Sequence, residues 1–240
     1  MSRIDGRLPN EVRSLTFVPH FQSQPAGSCL VKYGKTSVLC SVSIEDSIPP
    51  FLRGSKRGWL SAEYAMLPGS SQQRVSRERT KTNGRSLEIQ RLIGRCLRTA
   101  VDCRFFGERS LLVDCDVLEA DGGTRTAAIT GSVVAVALAL QKLESQCPGA
   151  GAALTLPIAA VSVGMIESQP LVDLCYQEDK DAEVDLNVIQ CRDGRFIEIQ
   201  GTAEREPYTL QELQQMLELA TQGLQTIFEA QERVLQSFLP

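Results

Sequence analysis

A chain of 240 residues, 42% hydrophobic and 22% charged, holds enough apolar material for a sizeable core and is not disordered throughout. Residues 1–18 are polar and charged, and the apolar stretch 127–140 is too short and too alanine-rich to span a bilayer, so neither secretion nor membrane contact is expected. Eight scattered cysteines without a CxxC pair exclude zinc-site spacing and fit a reducing, cytoplasmic compartment, while a single histidine, His20, leaves little room for Ser-His-Asp or Cys-His chemistry.

The first elements are strand-like runs at 28–33 and 36–42 around Gly34-Lys35, a hairpin signal, with Ile48-Pro49-Pro50 stopping the second run. Residues 58–64 read as another short strand. Residues 68–84 have no apolar period and carry Arg74, Arg77, Arg79 and Lys81, which predicts a basic, mobile loop. Ser86 is the candidate cap of a helix with Ile89, Leu92, Ile93, Cys96, Leu97 and Ala100 on its inner face. A buried strand from Leu111, a two-glycine turn and a long small-residue helix to about Ser145 follow. Residues 146–151, with a proline and two glycines, divide the chain.

Beyond that division, strands are expected at 158–166, 170–175, 184–191 and 196–200, the last two around Asp193-Gly194. Thr209-Leu210-Gln211-Glu212 is a capping box. The helix it opens would bury Leu210, Leu213, Leu217, Ala220, Leu224, Ile227 and Val234. Strands clustered before helices in both halves predict an α+β domain over 1–240, built of two similar sheet-plus-helix lobes at about 1–147 and 148–240.

The turn at 120–126 (ADGGTRT) places backbone N–H groups, two hydroxyls and a guanidinium at a helix start. Helix N-termini leave orphan donors and a partial positive charge, so the place suits an anion. An ordinary strand-to-helix turn with a surface arginine would use the same residues. Residues 53–98 hold eleven Lys/Arg against Glu63, Glu78 and Glu88, a local balance of +8 that leaves −12 for the remainder of a chain of net charge −4. That zone reads as a landing place for a polyanion or as a solvated charged face. Between Tyr176 and Asp185 lie five carboxylates, and Asp185 enters an apolar strand pattern where an unpaired charge is costly. The spacing is not that of an EF-hand. Mg²⁺ needs only one or two carboxylates when phosphates complete its shell, and a surface acidic loop is the alternative.

Taken in order, Arg3, Asp5-Gly6-Arg7, Gly58-Trp59, 62–68 (AEYAMLP), Gly84-Arg85, 88–95 (EIQRLIGR), 114–117 (DCDV), 120–126, Asp173-Leu174, Tyr176, Glu178-Asp179, Val184-Asp185, Asn187 and 201–204 (GTAE) run nearly end to end. This ordered set resembles the ribonuclease PH family. The resemblance implies the ribonuclease PH fold and a phosphate-dependent 3′→5′ exoribonuclease that trims tRNA precursor 3′ ends and releases nucleoside diphosphates. Inorganic phosphate is then the nucleophile, bound by Arg85, Gly123, Thr124 and Arg125, with Arg125 also in the chemistry. Asp179 and Asp185 match the family's metal-associated carboxylates and imply Mg²⁺, although either could instead protonate the leaving oxygen. A ring of six identical subunits is implied as well. Arg74, Arg77 and Arg79 are placed to grip an RNA backbone. A non-catalytic RNA-binding ring subunit and a metal-dependent hydrolase remain as other readings. The sequence departs from the family pattern at Gly69, where arginine is expected, and at Val172 and Leu186, which replace leucine and methionine.

Overall fold

The computed structural model describes residues 3–77 and 84–238. Among these the elements run β1 (Leu15–Pro19), β2 (Gly27–Tyr33), β3 (Thr36–Glu45), β4 (Trp59–Met66), α1 (Gly84–Ala100), β5 (Ser110–Glu119) and α2 (Thr124–Leu143). They continue with β6 (Ile158–Ile166), β7 (Gln169–Val172), α3 (Tyr176–Asp181), β8 (Val184–Cys191), β9 (Phe196–Ala203) and α4 (Leu210–Gln236). A five-stranded sheet has the order β1-β2-β3-β5-β4, and a four-stranded sheet the order β7-β6-β8-β9. All pairings are antiparallel except β4 with β5, which the crossover through α1 makes parallel. The α+β architecture expected from the sequence, two sheets with helices packed on them, is present.

Alternation along β5 fixes the inner face of the first sheet. Leu111, Val113, Cys115 and Val117 are buried while Asp114 and Asp116 face the other way. Burial pushes both of those carboxyls up, and at Asp114 the neighbouring Glu63 and Asp116 push further. Cys29, Cys40 and Cys115 stand side by side in register across β2, β3 and β5, as small buried hydrophobes with free thiols.

Helix α2 lies between the two sheets and touches strands of both. Its alanines, valines and hydroxyls are buried around the whole circumference, which explains why no amphipathic stripe is visible in its sequence. Gly131 makes the close approach possible: a β-carbon there would lie 2.5 Å from a methyl of Val31 on β2. At 20 residues the helix is long enough and apolar enough to cross a membrane, contrary to the expectation of shortness. What removes that role is enclosure, since 89% of its most apolar window is inside the protein.

Other expectations need correction. Ser86 sits inside α1, which is already helical at Gly84, so it is not the cap. The acidic cluster is not a plain loop: Tyr176–Asp181 forms α3, and Glu178 closes a capping box by accepting from the Cys175 N–H. The strand expected to reach residue 175 ends at Val172. Helix α4 begins at the expected box and buries Ala220, Leu224 and Ile227 as expected, with Leu213, Leu217 and Val234 partly buried against the core; Leu210 is instead 72% exposed, and Met216, Phe228 and Leu235 join the buried face. Arg79 lies outside the described residues, as do Glu78 and Lys81.

The segment before β1 has no regular structure, yet it is fastened by charge. Arg3 donates to both oxygens of Glu178, at 2.8 and 2.7 Å, and to the carbonyls of Val172 and Asp173. Arg13 donates to both oxygens of Asp173, and Arg7 lies 3.5 Å from both acids. These groups are almost wholly buried, so the pairs hold only while complete; removing one member of such a pair costs about 3–5 kcal/mol.

Candidate active site

A cavity of about 510 Å³ opens where the β5–α2 turn meets α3, the start of β8 and the loop after β4. The turn brings Gly122, Gly123, Thr124 and Arg125 to its wall, α1 brings Arg85, the loop brings Arg74, and the second lobe brings Asp179 and Asp185. Arg77 lines a neighbouring cavity of about 230 Å³, which shares Arg85 with the first.

The turn is built so that only glycine fits. Gly122 has φ +77°, and a β-carbon on it would lie 2.4 Å from the Leu174 carbonyl oxygen. We expect Gly122→Ala to lower stability by ~1–3 kcal/mol, seen as a lower urea midpoint at unchanged m-value, because it combines a left-handed backbone with a backbone clash. Gly69→Ala, whose β-carbon would enter open space, is the control and should leave the midpoint in place. Gly123, also left-handed, is the N-cap of α2 and makes no side-chain cap. The first N–H groups of α2 therefore remain orphan donors at the cavity wall.

Each side chain around that turn is held. The Thr124 hydroxyl lies 2.8 Å from the buried Tyr64 hydroxyl. With Tyr64 donating, Thr124 keeps its own proton free for the cavity; burial raises the Tyr64 phenol's pKa, opposed by the Thr124 contact and by Arg85 and Arg125. Arg125 donates to Gln200 Oε1 at 2.6 Å and to Glu88 at 3.5 Å, while Gln200 Nε2 donates to Glu88 at 2.8 Å. The guanidinium is thus braced between α1 and β9. Arg85 is exposed, and its charge reaches the Asp179 carboxylate and the Tyr64 phenol.

The two carboxylates respond to one another. Burial raises the Asp179 carboxyl, against the lowering pull of Arg85 and Arg125. Burial raises Asp185 further, to about 6, with Asp179 adding to the rise and Arg125 opposing it. Asp185 Oδ1 is buried with no hydrogen-bond partner. An orphaned carboxylate oxygen beside a second carboxylate is the donor set a hard cation satisfies. Among the described residues no group of three or more His, Cys, Asp or Glu side chains is gathered into a metal cage.

Sequence reasoning did not reach Glu88 and Gln200 as the brace of Arg125, Tyr64 as the partner of Thr124, or Arg13 behind the glycine turn. The first three sit within or beside the resemblance motifs, but their pairing spans 37 to 112 residues of chain and has no local signature.

Two models of the 3′ exoribonuclease family match the chain, domain 1 over residues 11–141 and domain 2 over 157–223. The chain belongs to the ribonuclease PH family. Within that family it is 50% identical to ribonuclease PH of a Synechococcus strain over 236 residues, covering 97% of each chain. It is 49% identical to ribonuclease PH of Bacillus subtilis over 245 residues, covering 99% of this chain and 98% of the relative. A chain of the Archaeoglobus fulgidus exosome with RNA bound to the active site superposes with a TM-score of 0.81 at 20% identity, over 95% of this chain and 92% of that one. Rice Rrp46 superposes with a TM-score of 0.78 at 16% identity, over 98% and 100% of the two chains. These two structures share the ribonuclease PH fold with the family member described here.

Proposed function

We propose that this chain is a phosphorolytic 3′→5′ exoribonuclease that removes nucleotides from tRNA precursor 3′ ends as nucleoside diphosphates. The observation that carries the reading is the convergence of Arg85, Arg125, the α2 N-terminus, Asp179 and Asp185 on one cavity. Its full-length similarity to ribonuclease PH proteins supports the same activity.

Phosphorolysis brings an anionic nucleophile to an anionic diester. Two unit charges 4 Å apart repel by ~1 kcal/mol in water and by ~4 kcal/mol at the effective dielectric of a protein surface, so charge neutralisation and positioning dominate. Arg85 and Arg125 offer forked donors to phosphate, and the backbone N–H groups opening α2 fix its orientation. A phosphate oxygen attacks the terminal phosphodiester, the bond to the leaving 3′ oxygen breaks, and that oxygen takes up a proton. Asp179 and Asp185 would hold Mg²⁺, which when bound supplies positive charge to the phosphoryl oxygens. A carboxyl near pKa 6, such as Asp185, is also poised as a proton donor close to neutral pH.

Arg74 at the cavity mouth and Arg77 in the next cavity are placed to hold the RNA backbone in a sequence-independent, salt-sensitive way, and we assign Arg79 to the same task on sequence alone. Gly69 removes one guanidinium from this set. We further propose that the chain acts as one domain of two lobes dividing near residue 147, in a homo-hexameric ring in the cytoplasm. A hydrophobic core running through both sheets supports the first point, and exposed apolar residues such as Phe51 and Leu210 support subunit contacts. Eight free thiols fit the reducing compartment.

The test uses a tRNA precursor with a few extra 3′ nucleotides, Mg²⁺ and graded inorganic phosphate. Nucleoside diphosphate release should rise with phosphate and stop without it. Nucleoside monophosphates released equally without phosphate would mean hydrolysis, and RNA binding without shortening would mean a non-catalytic ring subunit.

A further inference from the structure

Two residues outside the cavity decide where the glycine turn points. In a trans peptide the C=O and N–H groups face opposite ways, so fixing a carbonyl aims the following N–H. The Thr36 hydroxyl donates to the Gly122 carbonyl at 2.7 Å and accepts the Asp121 N–H at 2.9 Å. Arg13 donates from Nη1 to the Asp121 carbonyl and from Nη2 to the Gly122 carbonyl at 3.4 Å. Both carbonyls on the rear of the turn are thereby engaged from the side away from the cavity. Among the described residues neither the Gly122 nor the Gly123 N–H meets an acceptor, and both glycines line the cavity.

The clamp is itself rigid. Arg13 is tied to Asp173 three times, through its backbone N–H at 2.7 Å, Nε at 2.9 Å and Nη2 at 2.7 Å. Thr36 and Asp173 are fully buried. The Arg13–Asp173 pair contributes direction at the turn, beyond the pull of the Arg13 charge on Asp179.

We propose that Arg13 and Thr36 are positioning residues that aim the Gly122 and Gly123 N–H groups at the nucleophilic phosphate and so set the enzyme's phosphate affinity. This inference rests on the phosphorolytic reading and assigns the rear of its phosphate site to residues just before β1 and at the start of β3.

Thr36→Val keeps the shape and removes both hydrogen bonds, whereas Thr36→Ser keeps the hydroxyl. Steady-state kinetics with varied phosphate and varied 3′-extended RNA, together with calorimetric titration of inorganic phosphate alone, read the effect. Thr36→Val should raise the KM for phosphate about tenfold, the scale of misdirecting one or two hydrogen bonds, and weaken phosphate binding in parallel. Its KM for RNA should not move, and Thr36→Ser should restore the wild-type values. Arg13→Lys, which retains the charge against Asp173 but lacks the fork, should shift the phosphate KM in the same direction; if it does not fold, Thr36→Val decides. A folded Thr36→Val protein with an unchanged phosphate KM, or with phosphate and RNA KM values rising together, overturns the positioning role while leaving phosphorolysis intact. A wild-type protein that neither binds nor consumes phosphate overturns both.

Discussion

Arg125→Ala is expected to lower phosphorolytic turnover by roughly 10²–10³-fold at saturating phosphate, the cost typical of losing one donor aimed at developing charge. The side chain is only 19% exposed and is braced by Gln200 and Glu88 before any ligand arrives. Little reorganisation is needed when the phosphate binds, so the loss should fall mainly on kcat rather than on the KM for RNA. Arg125→Lys keeps one positive charge but cannot present two parallel donors, and it should recover only part of the rate. Rates of product release under single-turnover conditions with saturating phosphate measure both variants. Near-normal turnover of Arg125→Ala would remove this guanidinium from the chemistry.

The brace also marks the limit of what the sequence discloses. Glycines and hydroxyls at 122–126 announced the turn because local backbone chemistry requires those residue types there. The hairpins around Gly34-Lys35 and Asp193-Gly194 and the capping box at Thr209 were legible for the same reason. Glu88 and Gln200 carry no such signal: one lies in a helix of the first lobe and the other in a strand of the second sheet, and they become neighbours only where α1 meets β9 across the lobes. Arg13 and Asp173 are 160 residues apart, and although Asp173 interrupts the apolar run 171–175, nothing local shows that its buried partner is an arginine from the polar segment before β1. Helix α3 was missed because six residues rich in acid give no period to read, and its cap is closed from Glu178 rather than by a serine or threonine. Leu210 misled in the opposite sense. The apolar spacing of α4 is real and six of its seven expected positions pack on the core, but Leu210 in the first turn is exposed, and Met216 and Phe228 widen the buried stripe. The convergence of Arg85, Arg125, Asp179 and Asp185 came from the resemblance and not from spacing, since these residues lie on four separate elements.

Asp185→Asn is expected to separate stability from activity. The carboxyl's value of about 6 in the folded protein lies above its ordinary 3.8, so the folded state binds this proton more tightly than the unfolded chain does. Stability from this group is therefore present at low pH and is lost as pH rises from about 4 through about 6, after which the full penalty persists. A shift of about two units corresponds to a penalty of ~2–3 kcal/mol at neutral pH. Asparagine has the same shape and no charge to desolvate. In metal-free buffer the variant should thus melt at a higher temperature than wild type at pH 7.5, and the gap should close toward pH 4. Mg²⁺ should stabilise the wild-type protein, by relieving the buried Oδ1, and should do little for the variant. Phosphorolysis by the variant should fall by about 10²-fold or more if, as proposed, the charge that costs stability is the one that would hold the cation against the phosphates. Thermal melts with and without Mg²⁺ across pH 4–8 test the first half and nucleoside diphosphate release the second. Equal melting of the two proteins at pH 7.5, or undiminished stabilisation of the variant by Mg²⁺, would show that the strain and the metal reside elsewhere, with Asp179 the next residue to substitute.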